Sequence, residues 1–528
     1  MIEDVAKPKP IILAILDGFG VSLEKEGNPV FYAQTPNIQG LEKNFPFTTL
    51  QASGVAVGLP WGVAGNSEVG HLTMGAGRAV YHHLPRIINA IHDGSFFANE
   101  VLLQAAEQVK KNKSRLHLAG LVSSGSVHSY LDHLYALLDF AQKEGLPDVF
   151  LHAFTDGKDA PPQGGAKLLY DFEERLKKEW PRARLASVVG RFYAMDRDEK
   201  WERTQMAHEL LARGRGEKIS SAPEYLRSSY ARGENDESVK PAVLDAAGKI
   251  QENDVLIFFN FREDSMRQIA RVFTDDSFDK FSRTKIPGLL VITMTEYEKG
   301  AAARAIFPKI EIAHTLSRIL GQKGLRHLHI AETQKYAHVT YFFNGGSETP
   351  LPGEERILIP SPATAHFEEE PQMKAREITE KIIEKMADYD VIIANFANAD
   401  MGGHAGNFPA AGRAVEILDE SVGTLLKSVL ASEGVLIVTA DHGNIELKRD
   451  LRTGERLTEH SLNPVPFFLA GKNFRRNAPR SEEEIRAYKK EARGIITDVA
   501  PTILEILGIK KPEEMTGKSL LDILTQIM

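Results

Sequence analysis

The chain has 528 residues, a formal net charge of -8, 42% hydrophobic and 26% charged residues, and no cysteine. These proportions are ordinary for a soluble globular protein, and the missing cysteine excludes a disulfide scaffold, an all-Cys iron–sulfur cluster, a thiolate nucleophile and a Cys-ligated zinc site. The modest negative charge gives no support to a nucleic-acid surface, and at roughly 150 residues per domain the length allows two to four domains.

The N-terminus, MIEDVAKPKP, is charged and proline-rich, and the apolar run after it, 11–16, is interrupted by Asp17, so no signal peptide is expected. No stretch approaches the roughly 18 apolar residues of a membrane span, and a cytoplasmic protein is the expectation. Run 11–16 reads as a short buried strand that delivers Asp17 into a glycine turn. Similar buried runs follow at 115–121, 149–154, 185–189, 255–259, 289–293, 337–342, 391–394, 435–439 and 466–470. Helical periodicity falls between them, at 129–143, 164–179, 196–211, 314–321, 374–386 and 411–430. Most of the runs are continuous and not alternating, which favours parallel sheets covered on both faces. The fold class is therefore α/β, with two sheets. Segments 221–242 and 471–484 read as polar surface excursions.

In open α/β sheets ligands bind outside the carboxyl ends of strands, so the polar residues there are the informative ones. In NFANADMGGHAGN, Asp400 and His404 are spaced to share a metal, either on a helix or in a Gly-rich loop. VLIVTADHGN delivers Asp441 and His442 together, and EHSLNPVPFFL places His460 just ahead of a strand. Asp17 lies at the other end of the chain. Singly, each reads as a cap, turn or surface residue. Together they point to a metal, and three Asp with three His suit Mn2+, or Zn2+ in an O/N site, better than a soft metal. The candidate nucleophile is Ser67, in LPWGVAGNSEVGHLTMGAGR, near the start of a helix where a phosphoryl group is favoured. The plainer alternative is a capping box or turn. The segment is not a G-x-S-x-G elbow and shows no triad partners, so a metal-activated alkoxide is the natural reading.

The middle of the chain carries another chemistry. His128 lies in VHSYLDH, Lys158 and Asp159 in TDGKDAPP, Arg191 and Arg197 in VVGRFYAMDRD, and Arg262 and Arg267 in FFNFREDSMRQ. Each arginine alone reads as ordinary surface; converging, they make a pocket for a small anion with phosphate and carboxylate groups. Asp17 cooperating with ligands so much later in the chain implies a discontinuous domain, with junctions near residues 82 and 318.

The motifs GNSEVGH, GRFYAMDRD, FNFRED, AETQKYAHVTYFFNGG, NFANADMGGHAGN, ADHGN and HSLNPVPF resemble the cofactor-independent (2,3-bisphosphoglycerate-independent) phosphoglycerate mutases of the alkaline phosphatase superfamily. The resemblance runs from LDGFG to DVAPTILEILG and MTGKSL. It implies an alkaline-phosphatase-like, mainly parallel sheet domain of residues 1–82 and 318–528, with a second, substrate-binding α/β domain, 83–317, inserted. The implied activity is interconversion of 3- and 2-phosphoglycerate in glycolysis and gluconeogenesis, by a monomer with no nucleic-acid or membrane partner. Two divalent cations are implied, Mn2+ before Zn2+, Co2+ or Mg2+. By similarity Asp17, Ser67, Asp441 and His442 hold one; Asp400, His404 and His460 hold the other. His128, Lys158, Asp159, Arg191, Arg197, Arg262 and Lys335 line the substrate site, Ser67 carries a phosphoserine intermediate, and Asp159 is the acid and base for the substrate hydroxyls.

Three departures from the family pattern fall in the inserted domain. Lys158 precedes Asp159 where an arginine is usual, Ser265 stands three residues after Arg262 where a second arginine is usual, and SSGSVHS replaces an Asp-Gly-Gly-Val-His pattern. The alternative function is a metal-dependent phosphatase or phosphodiesterase, or a mutase of another small phosphorylated metabolite.

Overall fold

In a computed structural model, which describes residues 9–525 apart from 82, 310–311, 363–366 and 451, the chain divides into two compact units. One comprises Met1–His82 with Glu311–Met528, the other His83–Ile310. The second junction thus falls a few residues before the expected 318, ahead of the helix Leu316–Gln322, which joins the core of the first unit. The charged N-terminal stretch 1–8 and residue 82 at the first junction lie outside the described residues.

The first unit is built on an eight-stranded sheet. From edge to edge its strands are Glu354–Ile359, His327–Glu332, Val391–Phe396, Ile11–Leu16, Val435–Thr439, Val465–Ala470, Phe47–Gln51 and Gly494–Ile495. The first five are mutually parallel; Val465–Ala470 runs antiparallel to both of its neighbours. Ile11–Leu16 is entirely buried, because both its faces are covered, and this is why it is an unbroken apolar run. The 25-residue helix Phe408–Ser432, capped at its start by the Asn407 side chain, presses its apolar face into the same core.

The inserted unit has its own eight-stranded sheet, in the order Arg304–Phe307, Leu290–Thr295, Val255–Phe258, Leu116–Leu121, Val149–Thr155, Ala183–Gly190, Ala242–Val243 and Glu217–Lys218. Its first six strands are parallel. Alternate residues of Leu116–Leu121 enter separate apolar clusters: Leu116 and Leu118 join one, Ala119 and Leu121 the other. The α/β class with two largely parallel sheets is what the buried runs predict. Among the described residues no helix is long and apolar enough to cross a membrane.

Three readings need correction. Segment 337–342 is not a strand: His338–Phe342 forms a short π-helical turn, in which Phe343 N–H donates to the carbonyl of His338 at 3.0 Å. A short apolar run carries no period that separates the two conformations. Segment 221–242 is not only loop, since Ser221 caps a helix, Ala222–Ala231, that begins with a proline in its first turn. Segment 471–484 likewise runs into Glu482–Lys490, started by a Ser481–Glu484 capping box.

Candidate functional site

Three neighbouring strands of the first unit, Val391–Phe396, Ile11–Leu16 and Val435–Thr439, end side by side. The middle one releases Asp17. The first leads into the helix Asn398–Ala405, which places Asp400 and His404 one turn apart on one face and settles the choice between helix and loop. The third delivers Asp441 and His442, and an antiparallel bridge from Gly443 to Ser461 carries His460 alongside. Ser67 is the first residue of the helix Ser67–Ala76, whose N-cap Asn66 accepts from Val69 N–H at 3.0 Å. Close approach demands glycine at two points. Gly18 has φ +75°, and a Cβ there would lie 2.7 Å from Asp400 Cα; at Gly70 it would lie 2.7 Å from Asp441 Cβ.

All seven expected metal-site residues converge in this unit. Ser67 Oγ lies 3.1 Å from Asp17 Oδ1 and 3.1 Å from His442 Nε2. His404 Nε2 and His460 Nε2 lie 3.3 and 3.2 Å from Asp400 Oδ1. Two tighter groupings stand out, Asp17–Asp441–His442 and Asp400–His442–His460, so His442 reaches both. Lys335, placed by the resemblance among the substrate-binding residues, is found here and not among the anion-binding residues of the inserted unit. It follows the strand His327–Glu332, and its Nζ donates to Asp17 Oδ1 at 2.7 Å, Asp400 Oδ2 at 2.6 Å and Ser67 Oγ at 2.7 Å. Burial pushes Asp17 up, but the Lys335 charge and the His442 bond outweigh it and hold the carboxyl well below its usual range. Burial would lower His442, yet Asp441, Asp17 and Asp400 raise it to about 9. The field of this cluster is strongly negative.

The donor set fits divalent cations. His404 Nδ1 lies 2.8 Å from the Thr458 carbonyl, and His460 Nδ1 2.8 Å from the Gly65 carbonyl. A carbonyl only accepts, so each Nδ1 carries the proton and each Nε2 presents a lone pair. The two Nε2 atoms face one another at 3.0 Å, beside Asp400 Oδ1. Two imidazole Nε2 atoms and a carboxylate oxygen converging in this way can serve together as ligands of one cation. The other grouping shows the same sign. The His71 Nδ1–H is directed to the Ser67 carbonyl at 2.8 Å, and buried Asp441 Oδ2, which has that same nitrogen near it at 3.1 Å, has no donor of its own among the described residues.

The inserted unit holds a separate cavity of about 420 Å³, lined among others by His128, Lys158, Asp159, Arg191, Arg197 and Arg262. Six of the seven anion-site candidates that lie in this unit meet there. Arg191 Nη1 bridges Asp156 Oδ1 at 2.6 Å and Asp159 Oδ2 at 2.7 Å. Asp264 draws in Arg197 at 2.7 Å and Arg262 at 3.2 Å. Burial, then the Arg191 charge, lowers the His128 imidazole below its ordinary value. Ser265 lines the cavity too, with Oγ 3.1 Å from His128 Nδ1, and Lys158 lies 3.5 Å from Glu237. Arg267 does not join them: its Nε donates to the Tyr297 carbonyl at 2.9 Å.

Several contributors escaped the residue-type reading. Asp156 accepts the backbone N–H groups of Lys158 and Asp159 at 3.1 and 3.0 Å and so shapes the turn that presents them. Its place directly after a strand was the available signal. Asn395 donates to Asp17 Oδ2 at 2.7 Å, and Asn444 to Asp400 Oδ1 at 2.8 Å. Both lie in the polar strand-end segments 395–404 and 441–444, a signal of the same kind, though it does not say which carboxylates they meet.

A family model described as BPG-independent PGAM N-terminus matches residues 87–299. The chain is 46% identical over 525 residues to the 2,3-bisphosphoglycerate-independent phosphoglycerate mutase of Moorella thermoacetica, covering 98% of this chain and 99% of the relative. It is 46% identical over 521 residues to the 2,3-bisphosphoglycerate-independent phosphoglycerate mutase 2 of Methanosarcina acetivorans, covering 97% of each. A crystal structure of Leishmania mexicana phosphoglycerate mutase at low cobalt concentration is similar at 30% identity, with a TM-score of 0.59 and 98% of both chains covered.

Proposed function

The chain belongs to the 2,3-bisphosphoglycerate-independent phosphoglycerate mutases, and from that premise we propose that it interconverts 3- and 2-phosphoglycerate through a phosphoserine on Ser67, with two divalent cations. Asp17, Ser67, Asp441 and His442 would hold one cation and Asp400, His404 and His460 the other, with His442 in reach of both. Mn2+ suits this O/N donor set, with Zn2+, Co2+ or Mg2+ as alternatives. When bound, such cations acidify a ligated hydroxyl and offset charge on phosphoryl oxygens.

The observation that carries this reading is the setting of Ser67 Oγ. It lies at a helix N-terminus, 2.7 Å from the Lys335 ammonium and 3.1 Å from Asp17. Ser67 Oγ attacks the phosphorus of 3-phosphoglycerate; the Oγ–P bond forms as the bond from phosphorus to the substrate oxygen breaks. Asp17 Oδ1 accepts the hydrogen bond of the Ser67 hydroxyl and so orients Oγ, and the serine proton would be released to solvent from the hydroxyl so acidified. Lys335 and the helix N-terminus offset the negative charge developing there. Asp159 is the acid that protonates the departing 3-oxygen and the base that later takes the proton of the 2-hydroxyl. Arg191, Arg197 and Arg262 retain the glycerate through its carboxylate. Retransfer from Ser67 then gives 2-phosphoglycerate. Water must be kept from the phosphoserine, or the enzyme becomes a phosphatase.

The test is incubation with 3-phosphoglycerate, with and without Mn2+, reading 2-phosphoglycerate and inorganic phosphate together. The Ser67→Ala variant is expected to lose about 10³-fold or more of the mutase rate, and intact-mass measurement should show no phosphorylated chain. Near-normal isomerisation by that variant would overturn the scheme. Phosphate released without isomerisation would mark a phosphatase instead.

A further inference from the structure

Lys448 is 2% exposed, and each of its three hydrogen-bond partners is neutral. Its Nζ donates to the Gly403 carbonyl at 3.3 Å, to the Glu459 carbonyl at 3.4 Å and to Asn444 Oδ1. A buried ammonium without a carboxylate partner is an expensive arrangement, and burial lowers its pKa to about 8. A purely apolar side chain would fill such a place at less cost.

The three acceptors have one thing in common. Gly403 immediately precedes His404, and Glu459 immediately precedes His460. Asn444 continues to Asp400, donating from Nδ2 to Oδ1 at 2.8 Å and to the backbone carbonyl at 3.3 Å. One ammonium is thus linked, through a single intervening group in each case, to Asp400, His404 and His460. It also decides which way the Asn444 amide points. An ammonium only donates, so Oδ1 must face Lys448 and Nδ2 must face Asp400. The packing leaves no slack: a Cβ on Gly403 would come within 2.5 Å of Asn444 Oδ1. Asp17 and Asp441, by contrast, are steadied from another side, by Asn395 and by the helix bearing Ser67 and His71.

We propose that Lys448 is a positioning residue for the Asp400–His404–His460 cation subsite, setting the affinity of that subsite separately from the one at Asp17 and Asp441. The proposal rests on the two-cation reading. Outer partners that orient metal ligands typically govern affinity by about 10- to 100-fold, and Lys448 orients three ligands at once.

The experiment is a Co2+ titration of the chelator-treated full chain, followed by equilibrium dialysis and by the visible absorption of bound cobalt. Wild type is compared with Lys448→Met, with the milder Lys448→Gln, and with His404→Ala to mark the step that belongs to this subsite. Two uptake steps are expected in wild type. In the Lys448 variants the step marked by His404→Ala should weaken about 10- to 100-fold with an altered cobalt spectrum, while the other step stays in place. The proposal is overturned if both steps are unchanged, if both weaken equally, or if the marked step tightens, which would mean that charge repulsion dominates. Failure of both Lys448 variants to fold, read by circular dichroism, would also overturn it, since Lys448 would then hold the fold and not the subsite. Wild type that takes up only one ion overturns the two-cation reading itself, and that outcome is distinct from the others.

Discussion

The Ser67 cluster and the cavity around His128 are both charged sites, yet they are built by opposite rules. In the first, the charges are buried: the side chains of Lys335, Asp400 and Asp17 are 6%, 5% and 0% exposed, and carbonyls and amides fix their neighbours. In the second, the cations sit near solvent and are already paired with acids. Arg197 is 55% and Arg262 45% exposed, and both rest on Asp264. Bonds are made where groups cannot afford to reorganise, since preorganised charge in a dry site acts most strongly on a developing charge. Under the proposed function, such a site can exchange one carboxylate for another: Asp264 holds Arg197 and Arg262, which the carboxylate of the proposed substrate would take over.

The largest expected effect follows from Lys335. Lys335→Met should lower kcat about 10²- to 10³-fold with little change in KM, as steady-state kinetics would report. A raised KM with kcat preserved would break the contrast, because Lys335 would then be a binding residue like those in the cavity. Arg191 tests the other side. It is the buried exception in its cavity, with one nitrogen bridging Asp156 and Asp159. Arg191→Lys keeps the charge and loses the planar fork, and kcat/KM should fall by about 10- to 100-fold. A change confined to KM would place Arg191 with its exposed neighbours; one confined to kcat would place it with Asp159. The smallest effect is expected where the chain departs from its family. Lys158→Arg should move KM by less than about fivefold, since Lys158 is exposed and an exposed ion pair such as the one it makes with Glu237 contributes on the order of 1 kcal/mol or less. A gain of 10²-fold would show the cavity to be as finely set as the Ser67 cluster.

The two sites also differed in how readily they could be read. Asp17, Asp441 and His442 were legible as a set: singly each reads as a cap, turn or surface residue, but several strand ends that deliver Asp or His to one rim point to a metal. The spacing of Asp400 and His404 spoke for itself once the helix was in place. Lys335 carried no such mark. It follows Glu332 and Thr333 in a polar stretch, and only the family resemblance singled it out. Arg267 went the other way: its residue type suited the cavity, but its position at the head of the helix Arg267–Thr274 turns it toward the Tyr297 carbonyl. Helical phase decides such cases, and a phase error of one residue lies within the uncertainty of any helix start. The turn at His338–Phe342 was hidden for a related reason. Its burial is visible in the residues, but its hydrogen bonding is not.

The place of Ile11–Leu16 in its sheet has a consequence for how the protein is made. The strand lies between Val391–Phe396 and Val435–Thr439, neither of which exists when it leaves the ribosome. At usual elongation rates it waits on the order of tens of seconds for its partners. All eight strands of the inserted unit, by contrast, come from one continuous stretch, so that unit can finish its sheet first. An apolar strand left unpaired for that long is an aggregation hazard. Slower translation of the residues between Leu16 and Val391 would lengthen that exposure.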